Sequence, residues 1–177
     1  MNRAIFIDRD GIINKPIVVN RKPFSPVDIS EFKTLPKVKE ALKLFKKLNL
    51  MNIIITNQPD IKTGKQLSKD LDKIHNLMMI NLDIDEILVC KHDDNDNCNC
   101  RKPKTGMIEQ ALEKYQINVS QSYLIGDRWK DIQCGQKAGC KENFFVNYNY
   151  NETRPKMPYI VVKSLYECSQ YLNNTLN

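Results

Sequence analysis

Two rhythms of apolar residues alternate along the chain. Short apolar segments have the length and β-branched content of buried strands: Ala4 to Ile7, Met51 to Ile55, Glu86 to Cys90, Tyr123 to Ile125, Phe144 to Val146 and Tyr159 to Val162. Between them run stripes at helical spacing: Val38, Leu42, Phe45 and Leu48; then Leu67, Leu71, Ile74 and Met78; then Met107, Ile108, Ala111, Leu112 and Tyr115. The first helix is predicted to begin at Pro36, a residue suited to a first turn. A further helix runs from about Lys130 to Ala138 and stops at Gly139, and a last one follows Ser164. Pro16, Pro23 and Pro26 make the stretch from Asn14 to Thr34 read as irregular. Strand and helix alternate without an internal repeat, which predicts an α/β fold with a mainly parallel sheet covered by helices.

Composition narrows this. A chain of 177 residues holds one substantial core and not two, so one domain over 1–177 is expected. No run approaches the roughly 18 apolar residues of a membrane span, and a strand beginning by Ala4 leaves no room for a signal peptide. A cytoplasmic monomer with no membrane partner is expected. The net charge of +6 is spread over scattered lysines, which fits a solvated basic face and a small anionic ligand. No basic block is interleaved with aromatics, so no nucleic-acid partner is expected.

Three predicted strands end in reactive groups: Asp8 and Asp10, Thr56 and Asn57, and Asp127. In an open parallel sheet all carboxyl ends lie on one edge, so these residues converge. Asp8 and Asp10, two apart, share a face and resist ionising together unless a cation joins them. Magnesium suits such oxygen ligands, with Asp127 adding another. Asp10 is then expected to stay protonated or to take up a proton, giving an acid beside a nucleophile, Asp8. Thr56 and nearby backbone N–H groups are placed to hold phosphate oxygens.

Cysteine placement adds a second metal. Cys90, His92, Cys98 and Cys100 form a closed set of four ligands suited to structural zinc, while Cys134, Cys140 and Cys168 read as core residues. Arg101 and Lys102 follow at once. A zinc-stiffened loop would present the lysine to a transferring phosphoryl group and the arginine to a second phosphate.

Read in order, DRDGIIN, ITNQ, CKHDDNDNCNCRKPKTGM and GDRWKDI resemble the signature motifs of the haloacid dehalogenase (HAD) superfamily of phosphatases. The zinc loop, 90–100, places the resemblance in the branch of the D-glycero-D-manno-heptose 1,7-bisphosphate and histidinol-phosphate phosphatases. That resemblance implies a Rossmann-like three-layer sheet without a large cap, with the loop at about 14–34, carrying Lys15, Arg21 and Lys22, as a lid. It implies an aspartyl-phosphate on Asp8, Asp10 as general acid and base, and Thr56 and Lys102 on the phosphoryl group. Asn57, Gln58, Arg101 and Arg128 would recognise substrate. Magnesium would be held by Asp8, Asp127 and the carbonyl of Asp10, supported by Asp131. The expected substrate is a heptose bisphosphate, with histidinol phosphate or a polynucleotide 3′-phosphate as alternatives. The pattern departs at Ile12, where a threonine is usual, and at Thr63, which takes the place of an arginine that Lys62 or Lys65 would have to replace. A non-catalytic adaptor would have lost one of Asp8, Asp10, Lys102 or Asp127, and all four are present.

Overall fold

The structure, a computed structural model, describes residues 1–176. In chain order the elements are β1 (Arg3–Ile7), β2 (Ile17–Val19), β3 (Lys22–Phe24), α1 (Val38–Lys47), β4 (Leu50–Asn57), α2 (Ser68–Asn81) and β5 (Glu86–Cys90). There follow α3 (Gly106–Tyr115), β6 (Tyr123–Gly126), α4 (Trp129–Ala138), β7 (Glu142–Val146), β8 (Ile160–Val162) and α5 (Leu165–Leu176). Six strands form one parallel sheet in the order β5-β4-β1-β6-β7-β8.

Successive residues of a strand face opposite sides, and β1 feeds two cores in this way. Ile5 and Ile7 pack with Val38, Leu42 and Phe45 of α1, Ile74 of α2 and Leu172 of α5. Ala4 and Phe6 pack with Met107 and Ala111 of α3 and Ile132 of α4. The expected three-layer α/β arrangement, helices on both faces, is therefore the one observed. The chain winds from β1 outward through β4 to β5, then crosses back to β6 on the other side of β1. That reversal opens a crevice at the carboxyl ends of β1, β4 and β6, where parallel sheets bind ligands.

Three expectations need correction. The first helix starts at Val38 and not at Pro36, because Lys37 adopts a left-handed φ of 59° that breaks helical continuity. Strand β4 reaches Asn57, so Thr56 and Asn57 lie within it rather than after it, with Thr56 in register with Val89 and Asn57 with Cys90. The 14–34 stretch is not wholly irregular: β2 and β3 pair as an antiparallel hairpin. Its two-residue turn, Asn20-Arg21, has positive φ at both positions (50° and 60°), the pattern of a type I′ turn. A two-stranded ribbon has only edges, so Pro23 is tolerated in β3. Among the described residues no helix is long and apolar enough to cross a membrane.

Candidate active site

Strand β1 delivers Asp8 to the crevice, with its backbone N–H bonded to the Ile125 carbonyl at 2.9 Å. Lys102 meets it there: the ammonium lies 2.6 Å from Asp8 Oδ1, 2.7 Å from Asp131 Oδ1 and 2.8 Å from the Ile55 carbonyl. It is only 2% exposed. Asn57 fixes the backbone of this lysine at both ends, its Nδ2 donating to the Lys102 carbonyl and its Oδ1 accepting from the Lys102 N–H, each at 3.1 Å. Burial, and then Asp131, push the Asp8 carboxyl up to about 7 against the opposing pull of Lys102. Burial works against the charged form of Lys102 too, but Asp131 and Asp8 outweigh it and raise its pKa.

Asp127 arrives from the end of β6. Its Oδ2 accepts from the Tyr150 hydroxyl at 2.7 Å, while Oδ1 is buried without a protein partner. Burial, reinforced by Asp8 and Asp131, drives its pKa well above the carboxylate range. Ligand oxygens of Asp8, Asp127 and Asp131 all lie within 4.8 Å of one another. Three buried carboxylates, two of them paired with the Lys102 ammonium and the third carrying an orphaned acceptor, make an oxygen-rich set that fits a hard divalent cation. Asp131, expected only in support, stands inside this set, and the Asp10 side chain stands outside it. Gly11 is required alongside: its φ is +90°, and a Cβ there would lie 2.0 Å from Asp127 Oδ2.

Asp10 has partners of its own. Arg9, fully buried, binds it in bidentate fashion, Nε donating to Oδ1 at 3.1 Å and Nη2 to Oδ2 at 3.0 Å, and Asn14 Nδ2, Ser25 Oγ and Gln58 Nε2 donate to it at 3.0, 2.8 and 2.9 Å. Burial raises this carboxyl, but the Arg9 guanidinium and those hydrogen bonds prevail and hold it below its ordinary value. The resting arrangement thus favours an ionised Asp10, the second of the two expected states, in which it takes up a proton to act as the acid. Gln58 also donates to the Thr56 hydroxyl at 2.7 Å, which links Thr56 to Asp10 through Gln58. The other side of Arg9 meets His75 Nε2 at 3.2 Å, and burial followed by Arg9 lowers that imidazole to about 4.

The second cluster lies beside the first. Sulfurs about 2.3 Å from a tetrahedral zinc stand about 3.8 Å apart. Cys90 and Cys98 sulfurs are 3.7 Å apart, and Cys98 and Cys100 sulfurs 3.6 Å. His92 Nδ1 is 3.7 Å from Cys90 Sγ and 3.3 Å from Cys100 Sγ. The donor set therefore has the dimensions of a closed zinc site. Arg101 spends two guanidinium nitrogens inside this loop, on Asp94 Oδ1 at 2.7 Å and the His92 carbonyl at 3.2 Å. Lys62 is likewise tied to it, 3.0 Å from Asp96.

The cleft above Asp8 is walled by Phe24 and Ser25 of the hairpin side, by Asn57, and by Arg128 and Lys130 at the start of α4. Arg128 is ion-paired with Glu152. Ser25, Lys130 and Tyr150 were not anticipated. Lys130 lies inside the GDRWKDI motif, a signal that was available; Tyr150 sits in an Asn/Tyr-rich loop that carries none.

Comparison with known proteins decides the family. A family model described as "HAD-hyrolase-like" matches residues 99–168. A D-glycero-β-D-manno-heptose-1,7-bisphosphate 7-phosphatase of Helicobacter pylori (strain J99) is 35% identical over 84% of this chain and 85% of its own. The chain belongs to the HAD-like hydrolases. It is a phosphoric monoester hydrolase of that family. Another member, the D-glycero-α-D-manno-heptose-1,7-bisphosphate 7-phosphatase of Photorhabdus laumondii, is 32% identical over 96% of both chains. The histidine biosynthesis bifunctional protein HisB of Baumannia cicadellinicola is 33% identical over 84% of this chain, which spans 42% of that larger protein. Among solved structures, the D,D-heptose 1,7-bisphosphate phosphatase of B. bronchiseptica, complexed with magnesium and phosphate, superposes with a TM-score of 0.83 at 23% identity, covering 98% of this chain and 99% of the other. This likeness extends the HAD fold over nearly the whole chain.

Proposed function

We propose that the chain removes the 7-phosphate of a D-glycero-D-manno-heptose 1,7-bisphosphate through an aspartyl-phosphate on Asp8. The carrying observation is the buried set at the sheet edge: Asp8 at 2.6 Å from Lys102, with Asp127 and Asp131 oxygens within 4.8 Å, in a chain whose relatives of similar length bear that name. Asp8 attacks phosphorus and the bond to the sugar oxygen breaks. Asp10, ionised at rest, first takes up a proton from solvent; it gives that proton to the leaving oxygen and regains one from the water that hydrolyses the acyl phosphate. Ser25 supports that exchange, because a hydroxyl donates to an ionised Asp10 and can turn to accept from a protonated one. Lys102, held by Asn57, offsets charge on the phosphoryl oxygens. Arg128 and Lys130 face the anionic substrate from the cleft wall, while Arg101 would have to leave its partners Asp94 and the His92 carbonyl to reach it. Thr56 and Gln58 act through Asp10.

Asp8, Asp127 and the Asp10 carbonyl would hold magnesium, with Asp131 adjacent. Bound there, it supplies positive charge toward the phosphoryl oxygens. Cys90, His92, Cys98 and Cys100 would hold zinc, whose contribution is rigidity in the segment that carries Lys102.

A kinetic comparison tests the substrate. kcat/KM for the heptose bisphosphate is expected to exceed that for histidinol phosphate and for a 3′-phosphorylated oligonucleotide by about tenfold or more. A preference for histidinol phosphate would replace the sugar while keeping the chemistry, and no magnesium-dependent phosphate release from any of the three would end the proposal. Metal analysis should give about one zinc per chain, and Cys98→Ser should lose it. That variant is expected to melt at lower temperature and to lose about 10–100-fold in kcat, the usual scale for removing a support of a reactive group. Zinc-free protein with the parent's melting temperature and turnover would remove zinc from the scheme.

A further inference from the structure

The connection after β7 turns back over the sheet edge and reaches the carboxylate cluster from above. Tyr148 and Tyr150 stack within it, ring centroids 5.6 Å apart at 24°. Their hydroxyls diverge: Tyr150 donates to Asp127 Oδ2 at 2.7 Å, and Tyr148 to the Gly11 carbonyl at 3.0 Å. From outside, Arg21 at the hairpin turn donates to the Asn149 carbonyl through Nε (3.2 Å) and Nη2 (2.9 Å), and Asn151 N–H donates back to the Arg21 carbonyl at 2.8 Å. The loop is thus braced on both sides, and it reaches the carboxylate set through a directed hydrogen bond.

That bond matters because of what it leaves free. Asp127 Oδ1 is buried and has no protein partner. A carboxylate crowded by Asp8 and Asp131 relieves repulsion by rotating about its χ2, a soft torsion. A hydrogen bond on one oxygen opposes that rotation and keeps the other oxygen presented.

We propose that Tyr150 is a positioning residue for the cation site: its hydroxyl fixes the Asp127 carboxylate so that Oδ1 stands ready as a ligand, and the stacked Tyr148 holds that hydroxyl in place. This rests on the reading of Asp127 as a ligand of the divalent ion. Partners of this kind, one shell out from a metal, are worth about 10–100-fold in affinity when removed.

Manganese titration followed by the electron paramagnetic resonance signal of free Mn²⁺ tests it on the zinc-loaded protein, without turnover. Tyr150→Phe keeps the ring stack and removes only the hydroxyl. It is expected to weaken Mn²⁺ binding by about tenfold or more, with the unfolding midpoint in Mn²⁺-free buffer unchanged. Mn²⁺ binding equal to the parent's overturns the proposal, as does weaker binding that comes with an equal loss of stability in the ion-free protein, since that reduces Tyr150 to packing. Asp127→Asn separates the two levels of inference. If it binds Mn²⁺ as the parent does, the ligand reading itself fails; if it loses the ion while Tyr150→Phe does not, only the positioning role fails.

Discussion

Replacing Asp8 by asparagine is expected to abolish phosphate release while leaving the fold intact, and replacing Asp10 by asparagine should do the reverse in degree. The Asp8 carboxylate is the proposed nucleophile, and an amide cannot form the acyl phosphate; loss of a nucleophile lowers turnover by roughly 10⁴-fold or more. Stability should survive, because Lys102 keeps Asp131 at 2.7 Å and the Ile55 carbonyl at 2.8 Å, and one like charge leaves a crowded set. Asp10→Asn removes a general acid, an effect of about 10²–10⁴-fold. It also strips the carboxylate from Arg9, whose side chain is 0% exposed. Breaking a buried pair from one side costs about 3–5 kcal/mol, so this variant should unfold at distinctly lower urea. Phosphate release from p-nitrophenyl phosphate and urea titrations of both variants decide the matter. Turnover by Asp8→Asn within tenfold of the parent would dismiss the nucleophile, and equal urea midpoints for the two variants would dismiss the account of Arg9.

How far such a site can be read from residues alone depends on where each contact comes from. The convergence of Asp8, Thr56, Asn57 and Asp127 was legible because it follows from topology: apolar runs alternating with helical stripes make a parallel sheet, and a parallel sheet has one carboxyl edge. The sulfur cluster was legible because its four ligands lie within eleven residues, so local spacing nearly determines its geometry. The charge state of Asp10 was not. Alternation along an extended segment places Arg9 opposite its acidic neighbours, but extension ends there: the N–H groups of Ile13 and Asn14 turn back onto the Arg9 carbonyl at 2.8 and 3.2 Å. In that turn the guanidinium folds onto the next residue. The hairpin escaped because Val18 and Val19 are exposed and a proline interrupts β3, so neither strand shows the alternation of a buried face. Tyr150 escaped for a different reason. Its partner lies 23 residues away, across α4 and β7, and the loop that carries Tyr150 has no period, so only the folded chain brings them together.

Lys102→Met is the sharper test of how the site is held together. The substitution keeps volume and removes the ammonium, leaving Asp8, Asp127 and Asp131 oxygens within 4.8 Å of one another with no positive charge among them. Two of them ionised at that range would repel by about 4 kcal/mol even at an effective dielectric of 20, a cost that uptake of protons by the raised carboxyls relieves only in part. Zinc-loaded protein in magnesium-free buffer should therefore lose about 3–5 kcal/mol of stability in urea titrations. Magnesium should return more of it than it adds to the parent, because an ion that binds only the folded state stabilises in proportion to its affinity, and the variant's site holds one more uncompensated negative charge. Turnover behaves differently. With saturating magnesium the variant should be folded and still about 10²–10³-fold slower, since an ion held by the carboxylates would not supply the lysine's own charge toward the phosphoryl oxygens. Stability restored without activity is the expected signature. An equal magnesium increment in parent and variant would mean that the three carboxylates do not share a cation, and full activity at high magnesium would mean that Lys102 serves only to hold the fold.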